Sequence, residues 1–372
     1  MTTSLAVDSK QRLITELQSI GLRLEQPNVG AASRRGGAGP SDHKAVTIDG
    51  VTVMVPVHTN TAWHSTFKAD TPDANGISKL LKGAIPIAEI SFPQTPKFYD
   101  LATADGIPYS HIATLHSADV LATTVLQTCV RYESKKSSCK FCSIGQSLAA
   151  GRTIPFKTPE QLAEVASAAV KLDGVKHMIL TTGTPATNDR GAKILCESVK
   201  AIKAAVDLPI QVQCEPPDDM AWFERMKAVG VDSVGLHLEA VTQEVREKIM
   251  PGKATVSLDK YFEAFKVAVS IFGRGQVNTY ILAGLGDTKE AILEISTKLI
   301  DIGVYPFVVP FVPITGTPLE DHPAPTPAFM RSILEPLGGM LKQAKMSSAE
   351  IKAGCGKCGA CSSLSAYEVE HA

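Results

Sequence analysis

From about residue 121 to residue 313 the chain repeats one unit, and that repetition restricts the fold more than any other feature. A short apolar run of β character is followed within a few residues by an amphipathic helical stretch. Six runs read as strands: 122–128 (ATTVLQT), 177–182, 209–214, 232–238, 277–282 and 306–312. Helices are expected to begin near Thr158, Asp189, Asp218, Ser257 and Asp287, each a side chain able to cap a first turn. Parallel strands joined by right-handed helical crossovers curl into a barrel, and chemistry then gathers at the carboxyl ends of the strands. One further helix follows residue 313 without a convincing seventh or eighth strand. The expected fold class is therefore α/β, a partial (βα)6 TIM-like barrel over residues 121–325.

The flanks read differently. Residues 1 to 27 have a helical texture, and 28–42 (NVGAASRRGGAGPSD) has the Gly, Ala and Ser content of a flexible linker. In KAVTIDGVTVMVPV (44–57), β-branched residues alternate around Asp49-Gly50, a two-residue hairpin signal. Residues 1–120 are thus expected to form a helix, a linker and a small α+β appendage, and 326–372 a helix and a cysteine-rich tail. The 37 Lys and Arg nearly cancel the 38 Asp and Glu, with no basic run to neutralise phosphates, so nucleic acid is not an expected partner. No apolar stretch approaches the ~18 residues of a membrane span, and the first residues lack a cleavable apolar segment, so a cytoplasmic location is expected.

The eight cysteines are grouped: Cys129, Cys139 and Cys142 form one trio, Cys355, Cys358 and Cys361 another, and Cys196 and Cys214 stand alone as expected core residues. Clustered thiols in a long chain in a reducing compartment read as metal ligands rather than disulfides. The first trio, C-x9-C-x2-C, lies in a polar loop directly after the first strand. Three thiolates there would hold three irons of a [4Fe–4S] cube and leave the fourth open, whereas a zinc loop would need a fourth protein ligand. The second trio, with glycines between its cysteines, is expected to hold a second iron–sulfur cluster or zinc.

Four downstream stretches follow in order: LTTGTP (180–185), VGLHLEAVTQEV (234–245), YILAGLGDT (280–288) and VVPFVPITGTPLED (308–321). Together with the cysteine loop they resemble the radical S-adenosylmethionine (SAM) superfamily. The stretch 234–265 is most similar to lipoyl synthases and less closely to biotin synthases, and Gly316-Thr317-Pro318 matches the strand-six segment of biotin synthases. Three departures stand out: the nine-residue first gap, Tyr280 in place of a glycine, and Asp287 in place of a glutamate. The appendage and tail further resemble a radical SAM subfamily encoded beside nitrilases.

The resemblance implies that SAM chelates the open iron of a cluster on Cys129, Cys139 and Cys142. It places Phe141 beside the cofactor, Thr182, Gly183 and Thr184 at the SAM amino group, and His237 and Glu239 at its ribose and methionyl parts. Lys260 would face the SAM carboxylate, Leu282 would pack on adenine with Gly284 in the following turn, and Glu215 would contact SAM or substrate. A carboxylate suits ribose because it accepts two hydroxyl protons at once. The implied activity is reductive cleavage of SAM and hydrogen abstraction from a small-molecule substrate, with sulfur insertion if the second cluster supplies sulfur. A flavodoxin or ferredoxin-type donor would provide the electron. No cysteine precedes Cys129, which separates this sequence from lipoyl synthases, whose second cluster is held by N-terminal cysteines. His58, Trp63, His64, Tyr109, His111 and His116 are candidates for the substrate mouth. The competing reading is a non-catalytic iron–sulfur or zinc-binding barrel acting as carrier or scaffold.

Overall fold

The computed structural model describes residues 7–24 and 42–368, so the linker read at 28–42 lies outside the described residues apart from Asp42. Six parallel strands form the main sheet: β1 (Val120–Thr124), β2 (His177–Thr181), β3 (Ile210–Gln213), β4 (Ser233–Gly235), β5 (Val277–Ala283) and β6 (Val304–Pro310). They lie side by side in chain order, and the strand Thr114–His116 is added antiparallel on the free edge of β1. Each strand falls within or overlaps a run read from the sequence. The first is shorter than expected because beyond Thr124 the chain leaves the ladder and pairs instead with the segment before Thr158, at Leu126 and Phe156.

Alternation along the strands separates two faces. Leu121, Met178, Leu180, Val212 and Val234 join Leu162, Val165, Leu195, Val199 and Phe265 of the covering helices in one core. Val120, Ala122 and Ile179 point to the other face, inside the curl, with the polar Gln211 and Gln213 also buried. Thr158 caps its helix as expected, in a reciprocal capping box with Gln161, and Ser257 caps Leu258–Phe272. Asp287 does not cap; Thr288 does, which frees the Asp287 carboxylate to accept the backbone N–H groups of Val241 and Thr242. The helices after β2 and β3 start at Ala192 and Trp222, later than Asp189 and Asp218 suggested.

The appendage is a six-stranded sheet with its own core, in which Leu13, Ile14 and Leu17 of the helix Val7–Ile20 pack on Val46, Val53 and Phe67. Its hairpin turns at Asp49 and Gly50, with φ of 47° and 76°, the left-handed pair a tight two-residue turn requires. Packing changes earlier than residue 121, however: Phe98, Tyr109 and Ile112 belong to the barrel core.

The tail is part of the barrel body too. After the helix Pro327–Gln343, residues Ile351 and Leu364 join the main core, and the cysteine segment runs across the side of the sheet left open between β6 and Thr114–His116. Ser362 Oγ donates to Val308 O of β6, Cys361 Sγ meets His116 Nε2, and the Met54 N–H of the appendage donates to Ala360 O. Gly354 needs to be glycine twice over, since its φ is 105° and a Cβ would lie 2.0 Å from the Gln211 side chain. The tail stands where missing strands would close the curl.

Candidate active site at the strand ends

The cysteine loop between β1 and β2 is held at both ends and in its middle. Val130 N–H donates to Thr184 O at 2.9 Å, Lys140 N–H to Ile249 O at 2.9 Å, and Gly252 N–H to Ser137 O at 3.0 Å. Docking on residues 249–252 orders the long first gap, and a Cβ on Gly252 would come within 2.5 Å of Ser137 O. At the end of β2 the chain passes so close to Thr128 that a Cβ on Gly183 would sit 2.0 Å from Thr128 O. The glycine of LTTGTP therefore lets the segment just before Cys129 pass close to the end of β2.

Cys129, Cys139 and Cys142 all line one cavity of about 340 Å3, together with Thr182, Gly183, Thr184, Glu215, His237, Glu239 and Lys253. Burial pushes the Cys142 thiol up to about 12 and raises Cys139 well above its ordinary range, with Glu239 adding to the rise. Such thiols stay protonated in water-free surroundings and become thiolates when a metal replaces the proton. Among the described residues no three His, Cys, Asp or Glu side chains close around a single ion. The three thiols instead share the lining of one cavity, which suits a group that gives each sulfur its own iron.

Two buried ion pairs line the cavity. Lys253 Nζ lies 2.8 Å from Glu239 Oε2, and Arg131 Nη2 lies 3.0 Å from Glu215 Oε2. Burial alone would raise the Glu215 carboxyl; Arg131, Lys253 and the Thr184 hydroxyl, 2.9 Å away, together hold it below its ordinary value. His237 is driven down to about 3 by desolvation and by Lys253, so its ring is neutral. Tyr280 N–H donates to Nδ1, at 3.1 Å, which leaves Nε2 to carry the proton. Glu239 has φ of 63°, a left-handed backbone that costs a non-glycine residue roughly 1–3 kcal/mol. Its N–H and C=O nevertheless bridge to Tyr280 and Leu282 of β5, so the strained turn fixes the carboxylate between the strands.

A second cavity of about 250 Å3 lies inside the curl and shares Phe141, Gln213, His237 and Glu239 with the first. Leu282, Phe311, Ala122 and Ile179 make much of its wall apolar, the appendage contributes Gln18, His43 and Met54, and Cys355 and Cys361 open onto it. Gln213 Nε2 donates to Cys355 Sγ at 3.1 Å, and burial pushes that thiol up to about 11.

Residues 135–299 match the radical SAM superfamily. That part of the chain is a radical SAM domain. A bacteriochlorophyllide c C-7(1)-hydroxylase from Chlorobaculum limnaeum is 31% identical over 210 residues, 50% of this chain and 51% of the relative. A lipoyl synthase from Shouchella clausii is 26% identical over 158 residues, 42% of this chain and 48% of the synthase. The chain thus spans about half the length of the curated relatives it matches. Among solved structures, a methylornithine synthase superposes with a TM-score of 0.47 at 20% identity, covering 66% of this chain and 68% of the synthase.

Radical SAM membership implies a [4Fe–4S] cluster and SAM, and the first cavity offers three thiols for the one and hydroxyl, carboxylate and ammonium groups for the other. Of the residues read from sequence, Phe141, Thr182, Gly183, Thr184, Glu215, His237 and Glu239 all line it. Leu282 lies on the second cavity, and Gly284 shapes the turn behind it, where its carbonyl accepts from His322 Nε2 at 2.8 Å. Lys260 is not brought to the site: it sits in the first turn of Leu258–Phe272 and pairs with Glu263 of its own helix. The lysine that lines the first cavity is Lys253, because the chain breaks at Met250 and a separate short helix, Pro251–Ala254, turns it inward. Arg131 was also missed; its signal was its place two residues after Cys129. Of the candidate mouth residues, His116 lines the second cavity, Tyr109 is buried against Glu164, and Trp63 is 63% exposed. Cys358 packs on Val120, Ala122 and Ile179, and Cys196 is core as expected. Cys214 is buried but borders the first cavity. No helix among the described residues is long and apolar enough to cross a membrane.

Proposed function

We propose that this chain cleaves SAM reductively and removes hydrogen from a small, mainly apolar metabolite in the second cavity. Cys355, Cys358 and Cys361 would hold a second iron–sulfur cluster beside that metabolite. The observation that carries the reading is the shared wall: Phe141, Gln213, His237 and Glu239 border both the thiol-lined cavity and the apolar one. When bound, the reduced cluster supplies the electron that splits the sulfonium carbon–sulfur bond of SAM. The chain's own residues then orient and exclude. In this reading Glu239 accepts hydrogen bonds from the two ribose hydroxyls, a role supported by the Lys253 ammonium 2.8 Å from its carboxylate. Thr182, Gly183 and Thr184, just after β2, line the same cavity as the trio. Leu282, Phe311 and Ile179 keep water and stray hydrogen donors from a reactive carbon centre.

Cys355 and Cys361 line the substrate cavity itself, which favours sulfur insertion over simple hydrogen abstraction. The hydroxylase and lipoyl synthase names of the relatives support chemistry at a carbon centre. The electron donor of this reading is a flavodoxin or a ferredoxin-type protein. Anaerobic reconstitution followed by dithionite and SAM tests the activity: 5′-deoxyadenosine and methionine form with the native chain and not with Cys142→Ala. A carrier or scaffold gives neither product even when fully loaded with iron.

A further inference from the structure

The C-terminal trio has three thiols, and a four-iron cube has four corners. We infer that His116 supplies the fourth ligand of the second cluster, through Nε2. The inference rests on the reading that the trio holds an iron–sulfur cluster and adds to it the residue that completes the site.

Four observations converge on His116. Its Nε2 lies 3.5 Å from Cys361 Sγ, so a nitrogen donor and a thiol already stand side by side. Both border the second cavity, as does Cys355. His116 is 4% exposed and pairs across the antiparallel edge with Val120, so the two side chains share a sheet face. Val120 is one of the three residues on which Cys355 and Cys358 pack. The edge strand thus carries the imidazole to the wall where the tail carries its sulfurs.

Three other polar neighbours hold the trio in place. Gln213 Nε2 already donates to Cys355 Sγ, the contact that stabilises a ligating thiolate from outside the metal's own shell. His177 Nδ1 accepts the Gly354 N–H, which ties down the backbone just before Cys355. The Tyr280 hydroxyl bonds to Cys361. Imidazole nitrogen is an established replacement for thiolate on iron–sulfur clusters and raises their potential. A histidine-ligated cube would be coordinatively complete, so substrate would approach its sulfides and not an open iron.

The test isolates the second site in the full-length chain by replacing Cys129, Cys139 and Cys142 together with alanine. This matters because the SAM amino group would add its own nitrogen signal at the first site. The reconstituted triple variant is expected to hold about four irons, and after reduction its pulsed EPR spectrum is expected to show a directly coordinated nitrogen. Growth on 15N-histidine should convert that coupling to the 15N pattern. Adding His116→Cys should keep the iron and remove the coupling, which separates loss of the ligand from loss of the fold. A cluster with no histidine coupling, or a coupling that survives His116→Cys, overturns the assignment while leaving the second cluster in place. A native chain with about four irons and a triple variant with none would overturn the second cluster itself, and His116 with it.

Discussion

Lys253→Met removes the cation of one of the two enclosed ion pairs in the site. Lys253 Nζ is 2.8 Å from Glu239, with 9% of the lysine side chain and 18% of the glutamate side chain exposed. Removing one partner of a buried pair leaves the other charge uncompensated, at a cost of about 3–5 kcal/mol. The lower end is expected here because the Glu239 side chain is not fully buried. Anaerobic urea unfolding of the metal-free chain measures the loss, and a double-mutant cycle with Glu239→Gln identifies its source. The double variant has no charge left to strand, so it should recover most of what Lys253→Met loses. A Lys253→Met cost below about 1 kcal/mol, or a double variant no more stable than that single one, would refute the claim that this pair holds Glu239.

Three further outcomes follow from the same geometry. Gly183→Ala places a methyl group against Thr128 O, at a separation of 2.0 Å before relaxation; the reconstituted variant should lose the iron of the first site and all 5′-deoxyadenosine formation. Cys355→Ala should keep SAM cleavage, because Cys355 does not border the first cavity, and abolish the sulfur-containing product; product analysis by mass spectrometry checks both. Lys157 is fully buried, with Nζ 2.7 Å from Thr124 O, and burial lowers its pKa from 10.5 to about 7. Below that value the amine is charged whether folded or not, and the folded chain bears the whole desolvation cost. The cost disappears as pH rises from about 7 toward 10.5, so stability relative to Lys157→Met should climb across that window. Parallel pH profiles for the two proteins would contradict it.

The barrel was legible because its signals are local. Period-two runs, capping residues at Thr158 and Ser257, and a thiol trio at the end of the first strand each fit within a few residues of sequence. Lys253 was obscured because the resemblance put the basic residue at Lys260, inside the helix capped by Ser257, while Pro251 and Gly252 open a separate short helix just before it that carries Lys253. The buried charges of Arg131 and Glu215 lie 84 positions apart and meet only when β1 and β3 take their places. The tail was hardest to place. Its position depends on contacts with Gln18, Met54, His177 and Val308, and no property of residues 354–362 alone encodes them.

The account depends on an iron at the Cys129, Cys139 and Cys142 site that no protein side chain ligates. Electron–nuclear double resonance of the dithionite-reduced chain, with SAM labelled with 15N at its amino group and 17O at its carboxylate, observes that iron directly. Couplings from both labels, absent from the Cys142→Ala variant, are the predicted result. A native cluster whose spectrum is unchanged by SAM and shows neither coupling would contradict the account.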